Sequence, residues 1–229
     1  RASTIASIAR SIASSRAFAR PHAQSIAAHC RGHHSRGARS SDARATFAMV
    51  FTTARASPAA APSSRFSASA CIFAALPAIA AQLIAFHTLM EPGCNIVAAK
   101  KLYDGSLNQM GESFRKFGWE THFVDADDPA NVAAAIDDKT RCVFIESLAN
   151  PGGVVSDIAA IAEVAHDAGV PLIVDNTMAT PALCRPFDHG ADIIVHSCTK
   201  FLNGHGNAVG GLIVDSGRFD WKASDKFPS

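Results

Sequence analysis

Pro171-Leu172-Ile173-Val174-Asp175-Asn176-Thr177 opens the stretch on which the reading of this chain turns, and His196-Ser197-Cys198-Thr199-Lys200 closes it. The first segment reads as a buried strand: an apolar run of strand length that stops in a carboxylate and two small polar residues. Asp192-Ile193-Ile194-Val195-His196 is a second short β-branched run, and Ser197, Thr199 and Lys200 follow at its carboxyl end. In open α/β sheets that end of the strands is where ligands sit.

A lysine following a buried apolar strand calls for a reason, because burying an ammonium is costly. One reason is a Schiff base between Lys200 and a carbonyl cofactor. Pyridoxal 5'-phosphate asks for such a lysine, an acidic partner for its pyridinium nitrogen and donors for its phosphate. Lys200, Asp175, and Ser197 with Thr199 supply these. If Cys198 continues the strand, alternation places both hydroxyls on one face and the thiol on the other. The plainer alternative has Asp175 capping the next turn and Lys200 snorkelling to the surface.

Working outward, the chain of 229 residues is 48% apolar, ample for a core; its net charge of +1 says nothing about nucleic acid, and no nucleic-acid partner is expected. Charge is unevenly placed. Residues 1–90 hold ten Arg, no Lys and one acid, Asp42, a balance of +9 against −8 for the remainder. The six cysteines are scattered without metal-ligand spacing, so reduced thiols in a cytoplasmic compartment are expected. Cys30 with His33 and His34 lacks a second ligand pair, so no metal is expected. The longest apolar run, Cys71 to Phe86, is broken by Pro77 and Gln82 and is too short to span a bilayer. It is read as a buried helix.

Residues 1–77, rich in Ala, Ser and Arg, show no sustained period and are expected to be disordered. Three readings stand for them: an organellar transit peptide, a basic arm, and a segment foreign to the rest, such as an out-of-frame product. From Ala80 the pattern is orderly. Helices are expected over Ala80–Met90, Ser106–Phe117 (stopped by Gly118), Pro129–Asp137 and from a Ser156 cap to Ala168. Strands are expected at Asn95–Ala99, Thr121–Asp125, Cys142–Glu146 and Val209–Asp215, with a turn at Tyr103–Ser106. This alternation predicts an α/β fold, a three-layer, mostly parallel sheet flanked by helices. There is no G-x-G-x-x-G after a strand and no Walker lysine motif, which argues against a nucleotide-binding module.

Several motifs in order resemble the fold-type I pyridoxal-phosphate enzymes of cysteine and methionine metabolism. They are Leu102-Tyr103-Asp104-Gly105-Ser106, Glu146-Ser147-Leu148-Ala149-Asn150-Pro151, Val174-Asp175-Asn176-Thr177, Ser197-Cys198-Thr199-Lys200 and Gly204-His205-Gly206. Arg185-Pro186-Phe187-Asp188-His189-Gly190-Ala191-Asp192, His87-Thr88-Leu89-Met90 and Ser113-Phe114-Arg115-Lys116-Phe117-Gly118-Trp119 look most like its O-acetylhomoserine sulfhydrylase branch. The likeness covers about residues 80–221, so residues 78–229 are expected to form an incomplete cofactor-binding large domain.

The resemblance implies γ-replacement on O-acetylhomoserine with sulfide or a thiol, giving homocysteine or methionine. Cystathionine γ-synthesis or γ-lysis, methionine γ-lysis, and a catalytically impaired fragment are the alternatives. It also implies a homodimer or homotetramer and residue roles. Lys200 holds the cofactor and moves protons, and Asp175 pairs with the ring nitrogen, with Thr177 in the same motif. Tyr103, the chain's one tyrosine, stacks on the ring and assists proton transfer, and Asn150 bonds the 3-oxygen. Ser197 and Thr199 take the phosphate. Glu146 is either catalytic or a strand-end carboxylate bonded to backbone, and His205 a loop terminator. Three departures stand out. Pro77, Ala78 and Ile79 occupy the family's glycine-containing phosphate cup, no tyrosine precedes Tyr103 for the family's intersubunit Tyr-x-Arg pair, and the chain stops at Ser229, before the family's carboxyl-terminal domain and its substrate-carboxylate arginine.

Overall fold

Five short strands, four of them built on largely apolar runs, decide the architecture. β2 (Asn95–Ala99), β4 (Thr140–Glu146), β5 (Leu172–Asp175) and β6 (Ile193–Ser197) pair in parallel with their neighbours, and β3 (Glu120–Val124) adds to β2 at one edge. Every residue of β2, β5 and β6 is buried. Successive strand residues face opposite sides, so both faces are covered and the sheet is the middle of three layers. The computed structural model describes residues 71–75 (backbone only) and 78–227. The readings placed on residues 1–70, including the transit-peptide, basic-arm and Cys30 metal readings, and on Pro77, lie outside the described residues.

The sheet has seven strands in the order β1-β7-β6-β5-β4-β2-β3. β7 (Gly211–Asp215) runs antiparallel to β6, and β1 (Cys71–Ala75) antiparallel to β7. This corrects the reading of Cys71–Phe86 as one buried helix. The run is a strand, then α1 (Ala78–His87), with Pro77 between them. The sheet therefore begins before residue 78. β7 also starts at Gly211 rather than Val209, which is exposed.

The helical run expected over Ser106–Phe117 starts earlier, at α2 (Asp104–Asn108), so Tyr103–Ser106 is a helix start rather than a turn. It continues through one π turn (Gln109–Ser113) and a 3₁₀ turn (Phe114–Phe117) to Gly118, whose φ of 73° only glycine adopts readily. α3 (Pro129–Ala135) has proline at its first turn and Asp128 as its cap, accepting from Ala130 N at 2.9 Å. α4 (Ile158–Asp167) is capped by Asp157, which accepts from Ala160 N at 3.1 Å. Ser156 is not the cap; its hydroxyl donates to the Glu146 carbonyl at 2.7 Å.

A core of interlocked rings joins α1 to the sheet. Phe86 meets Phe114 at 5.4 Å and Phe144 at 5.3 Å, both edge to face, and Phe114 meets Trp119 at 5.1 Å. All three phenylalanines are fully buried. Phe86→Ala is expected to lower unfolding free energy by about 3–5 kcal/mol. Phe201→Ala, at an exposed position, should stay within about 0.5 kcal/mol of the parent. Urea denaturation followed by far-UV circular dichroism separates the two.

Candidate active site

The strand order places a topological switch point between β2 and β4. After β2 the chain turns outward to β3; after β4 it turns the other way to β5. Connections that diverge leave a crevice at the carboxyl edge. A cleft of about 220 Å³ lies there, and each of Lys200, Tyr103, Asp175, Ser197, Thr199, Asn150 and Thr177 lines it. The sequence scatters them over nearly a hundred residues. The parallel register gathers them, because each lies at or just after the carboxyl end of β2, β4, β5 or β6.

Asp175 ends β5 and is buried, with 8% of its surface exposed. Its Oδ1 accepts from Thr177 N at 2.8 Å and its Oδ2 from Gln82 Nε2 at 3.0 Å. Burial pushes its pKa upward, and the Thr177 and Gln82 donors pull against it. Among the described residues the ion pairs are Lys101 with Asp125 and Asp127, His166 with Asp192, and Arg185 with Asp188. None reaches Asp175. A buried carboxylate without a counter-charge on a cleft wall is a place for a ligand cation.

Thr177 also receives Ser197 N on its Oγ1 at 2.7 Å, tying the ends of β5 and β6 together. The expected alternation of Ser197 and Thr199 along a strand does not hold, since β6 ends at Ser197 and Cys198–Leu202 forms a π turn. Both still line the cleft, but their hydroxyls differ. Ser197 Oγ makes no hydrogen bond among the described residues. Thr199 Oγ1 accepts from Gly210 N at 3.0 Å and donates to Gly210 O at 3.3 Å. Lys200 is exposed, which corrects the argument from burial; its place on the cleft wall, at a backbone break in the π turn, is what marks it.

Tyr103 stands at the mouth, 46% exposed, and its ring lies against Gly105, where a Cβ would come within 2.4 Å of Tyr103 Cε1. Asn150 is exposed and its side-chain amide makes no hydrogen bond among the described residues. Glu146 is bonded to backbone, the second of its two expected readings: Oε1 accepts from Tyr103 N at 2.7 Å and Oε2 from Asn150 N at 2.9 Å. Burial, helped by the Asp175 charge, pushes it up to about 7 against those two donors. Ala78 and Ile79 line the cleft from the first turn of α1.

Sequence reasoning missed Gln82 and Gly105. Gln82, 2% exposed, donates to Asp175 and exchanges hydrogen bonds with Ser106 Oγ at 3.0 and 3.1 Å. Its signal was available: one amide in a helix that is otherwise apolar up to its last residue, His87, where a buried polar group needs a partner. Nothing local marks Gly105.

A lysine, an unpaired buried carboxylate, a free hydroxyl and a ring at the mouth of one cleft, on the carboxyl edge of a mostly parallel sheet, define a cofactor-binding α/β domain. Residues 66–228 match the family model described as Cys/Met metabolism PLP-dependent enzyme, and the chain belongs to that family. The homocysteine synthase of Schizosaccharomyces pombe is 51% identical over 150 residues, 65% of this chain and 35% of that protein. The O-acetyl-L-homoserine sulfhydrylase of Leptospira meyeri is 49% identical over 141 residues, 62% of this chain and 32% of that protein. A crystal structure of a Campylobacter jejuni O-acetylhomoserine (thiol)-lyase, with N'-pyridoxyl-lysine-5'-monophosphate, superposes with a TM-score of 0.67 at 33% identity, covering 69% of this chain and 39% of that one. The chain spans about a third of the length of the curated relatives it matches. Pyridoxal phosphate is the family's cofactor, and the cleft's donor set fits it: its cationic ring nitrogen matches the unpaired Asp175.

Gln82→Leu removes a donor from that carboxylate. It is expected to weaken pyridoxal-phosphate binding by about tenfold or more, read by absorbance titration. Two other buried groups set a pH dependence. His196, 3% exposed with Nδ1 unpartnered among the described residues, is pushed down to about 4 by burial. Its pKa is depressed, so its contribution to stability is present above 6.5 and lost as pH falls through about 4. Glu146, raised from 4.5 to about 7, acts in the opposite sense: its contribution is present below 4.5 and lost as pH rises through about 7. Urea midpoints measured from pH 8 to pH 4 should therefore fall less steeply with acid in His196→Leu than in the parent, and more steeply in Glu146→Gln.

Proposed function

We propose that the chain serves a pyridoxal-phosphate-dependent γ-replacement on O-acetylhomoserine with sulfide or a thiol, giving homocysteine or methionine. The observation that carries the reading is Asp175, buried, in no ion pair among the described residues, and lining the same cleft as Lys200. The names of the Leptospira meyeri and Schizosaccharomyces pombe relatives support the substrate class. When bound, the cofactor supplies an electron sink for the substrate's Cα and Cβ, so that acetate can leave the γ-carbon.

The chain's residues do the rest. Asp175 keeps the ring nitrogen protonated, and Gln82 and Thr177 hold that carboxylate in place. Lys200 anchors the cofactor, and its Nζ, once released, takes the Cα proton and passes it on. The Tyr103 ring covers the cofactor from the cleft mouth, and its phenol assists proton transfer. The Asn150 amide bonds the 3-oxygen. Ser197 Oγ donates to the phosphate, and Thr199 joins it by releasing Gly210 O.

Assembly into a homodimer or homotetramer belongs to this proposal, supported by the exposed Leu183, Phe201 and Val209. So does a cytoplasmic, reducing location, supported by the free thiols Cys94, Cys142, Cys184 and Cys198. A second reading, a family member that grips its cofactor weakly, is favoured by Ala78 and Ile79 in the cleft wall where the family has its phosphate cup.

The purified chain mixed with pyridoxal phosphate should develop a visible absorbance band. Borohydride should then fix the cofactor on the peptide containing Lys200, detected by mass, and Lys200→Ala should lose both. Homocysteine released from O-acetylhomoserine and sulfide tests the reaction. Attachment without turnover favours the second reading, and a folded chain with no Lys200-dependent attachment overturns both.

A further inference from the structure

Glu146 sits where the chain diverges. It ends β4, beside the switch point, and is 4% exposed. Each carboxylate oxygen takes one main-chain N–H, Tyr103 at 2.7 Å from the connection after β2 and Asn150 at 2.9 Å from the connection after β4. Neither amide is spent inside a helix or the sheet: Tyr103 precedes α2, and Asn150 follows β4 in the loop toward α4. No other side chain among the described residues touches both loops by hydrogen bonds. The Glu146 backbone is itself fixed, since its carbonyl accepts from Ser156 Oγ at 2.7 Å.

We propose that Glu146 is a positioning residue whose ionised carboxylate clamps the main chain at Tyr103 and Asn150 across the switch point, so that proton uptake by Glu146 loosens both walls of the cofactor cleft. What the two clamped residues do rests on the functional reading above; the clamp does not. An ionised carboxylate accepts two N–H bonds equally well. A protonated one turns one oxygen into a hydroxyl, a poor acceptor, and leaves the other a neutral carbonyl oxygen that accepts more weakly than a carboxylate's, so both bonds weaken.

The titratable groups of the described residues that share the cleft with Glu146 are Asp175 at the end of β5, Tyr103 at the start of α2 and Lys200 in the turn after β6. Burial first, and Asp175 as a like charge, favour the proton; the two N–H donors oppose it, leaving the balance at about 7. The clamp is complete above that pH. Glu146's contribution to stability is present below 4.5 and lost through about 7. Order in the cleft is therefore gained at the expense of global stability.

The chain's single tyrosine makes the test direct. In protein labelled with ¹⁵N-tyrosine and free of cofactor, one amide resonance reports the Tyr103 N–H. It should move downfield with rising pH, with a midpoint near 7. In Glu146→Gln the resonance should stop titrating, and pyridoxal-phosphate affinity at pH 8 should fall by about tenfold. Glu146→Ala should weaken binding further than Glu146→Gln, which keeps one side-chain acceptor. A parent amide that is flat from pH 5.5 to 8.5, or that titrates equally in Glu146→Gln, overturns the clamp. The parent's own titration decides the matter even where a variant fails to fold. A titrating amide in a chain that takes up no pyridoxal phosphate upholds the clamp and sinks the functional reading instead.

Discussion

Two carboxylates side by side in a dry place constrain everything around them. Glu146 and Asp175 are register partners at the ends of β4 and β5, so parallel pairing sets like charges next to each other with 4% and 8% of their surfaces exposed. Like charges in low dielectric cannot both ionise without help. The help comes as hydrogen-bond donors. Glu146 takes two main-chain amides; Asp175 takes one main-chain amide and the Gln82 side chain. The difference in donors separates their roles. Glu146 has both oxygens committed to the main chain and can hold loops. Asp175 keeps acceptor capacity facing the cleft, and a ligand cation relieves both its own isolation and its repulsion of Glu146.

The parallel core was legible because its strands carry their own signature. The strands read in Cys142–Glu146, within Pro171–Thr177 and in Asp192–His196 are largely apolar, β-branched or aromatic runs, and the observed bounds Thr140–Glu146, Leu172–Asp175 and Ile193–Ser197 lie within a residue or two of them. The Cys71–Phe86 stretch was not legible, since a short, mostly apolar run fits a buried strand and a buried helix equally well. Pro77 was the mark of the break, and it divides a strand that closes the sheet from a helix that lines the cleft. The antiparallel sense of β7 had no local signal either. Strand direction follows from the length and path of the connection, and the segment after Lys200 carries no helix pattern to force a crossover.

Within the site, one-residue chemistry was readable and cooperation was not. Lys200, Asp175 and Tyr103 stand out by type and position. The Glu146 bond to Tyr103 N spans 43 residues and the Gln82 bond to Asp175 spans 93, so neither belongs to a motif. Both donors to these carboxylates come from elements that the sheet, not the local sequence, brings together. Thr199 shows the converse: a residue read from the sequence as a phosphate ligand lines the cleft, but its hydroxyl is engaged by Gly210, a partner no spacing rule names.

In the proposed function, these arrangements would distribute the hold on an anionic, aromatic cofactor unevenly. At the ring end Asp175 and its two donors form a preorganised acceptor, and the Glu146 clamp fixes the residues on either side. At the phosphate end stand the first turn of α1, whose amides favour an anion, and one free hydroxyl on Ser197. Ala78 and Ile79 offer no side-chain donor there, and Thr199 must give up Gly210 to contribute. A ligand held strongly at one end and weakly at the other depends on its covalent anchor to stay in register. Lys200 lies in the turn that joins the two ends, immediately after Thr199. In the proposed function, one covalent attachment at that point would hold the ring near Asp175 whether or not the phosphate were fully gripped, making the lysine the fixed point of the cleft and the hydroxyls its adjustable part.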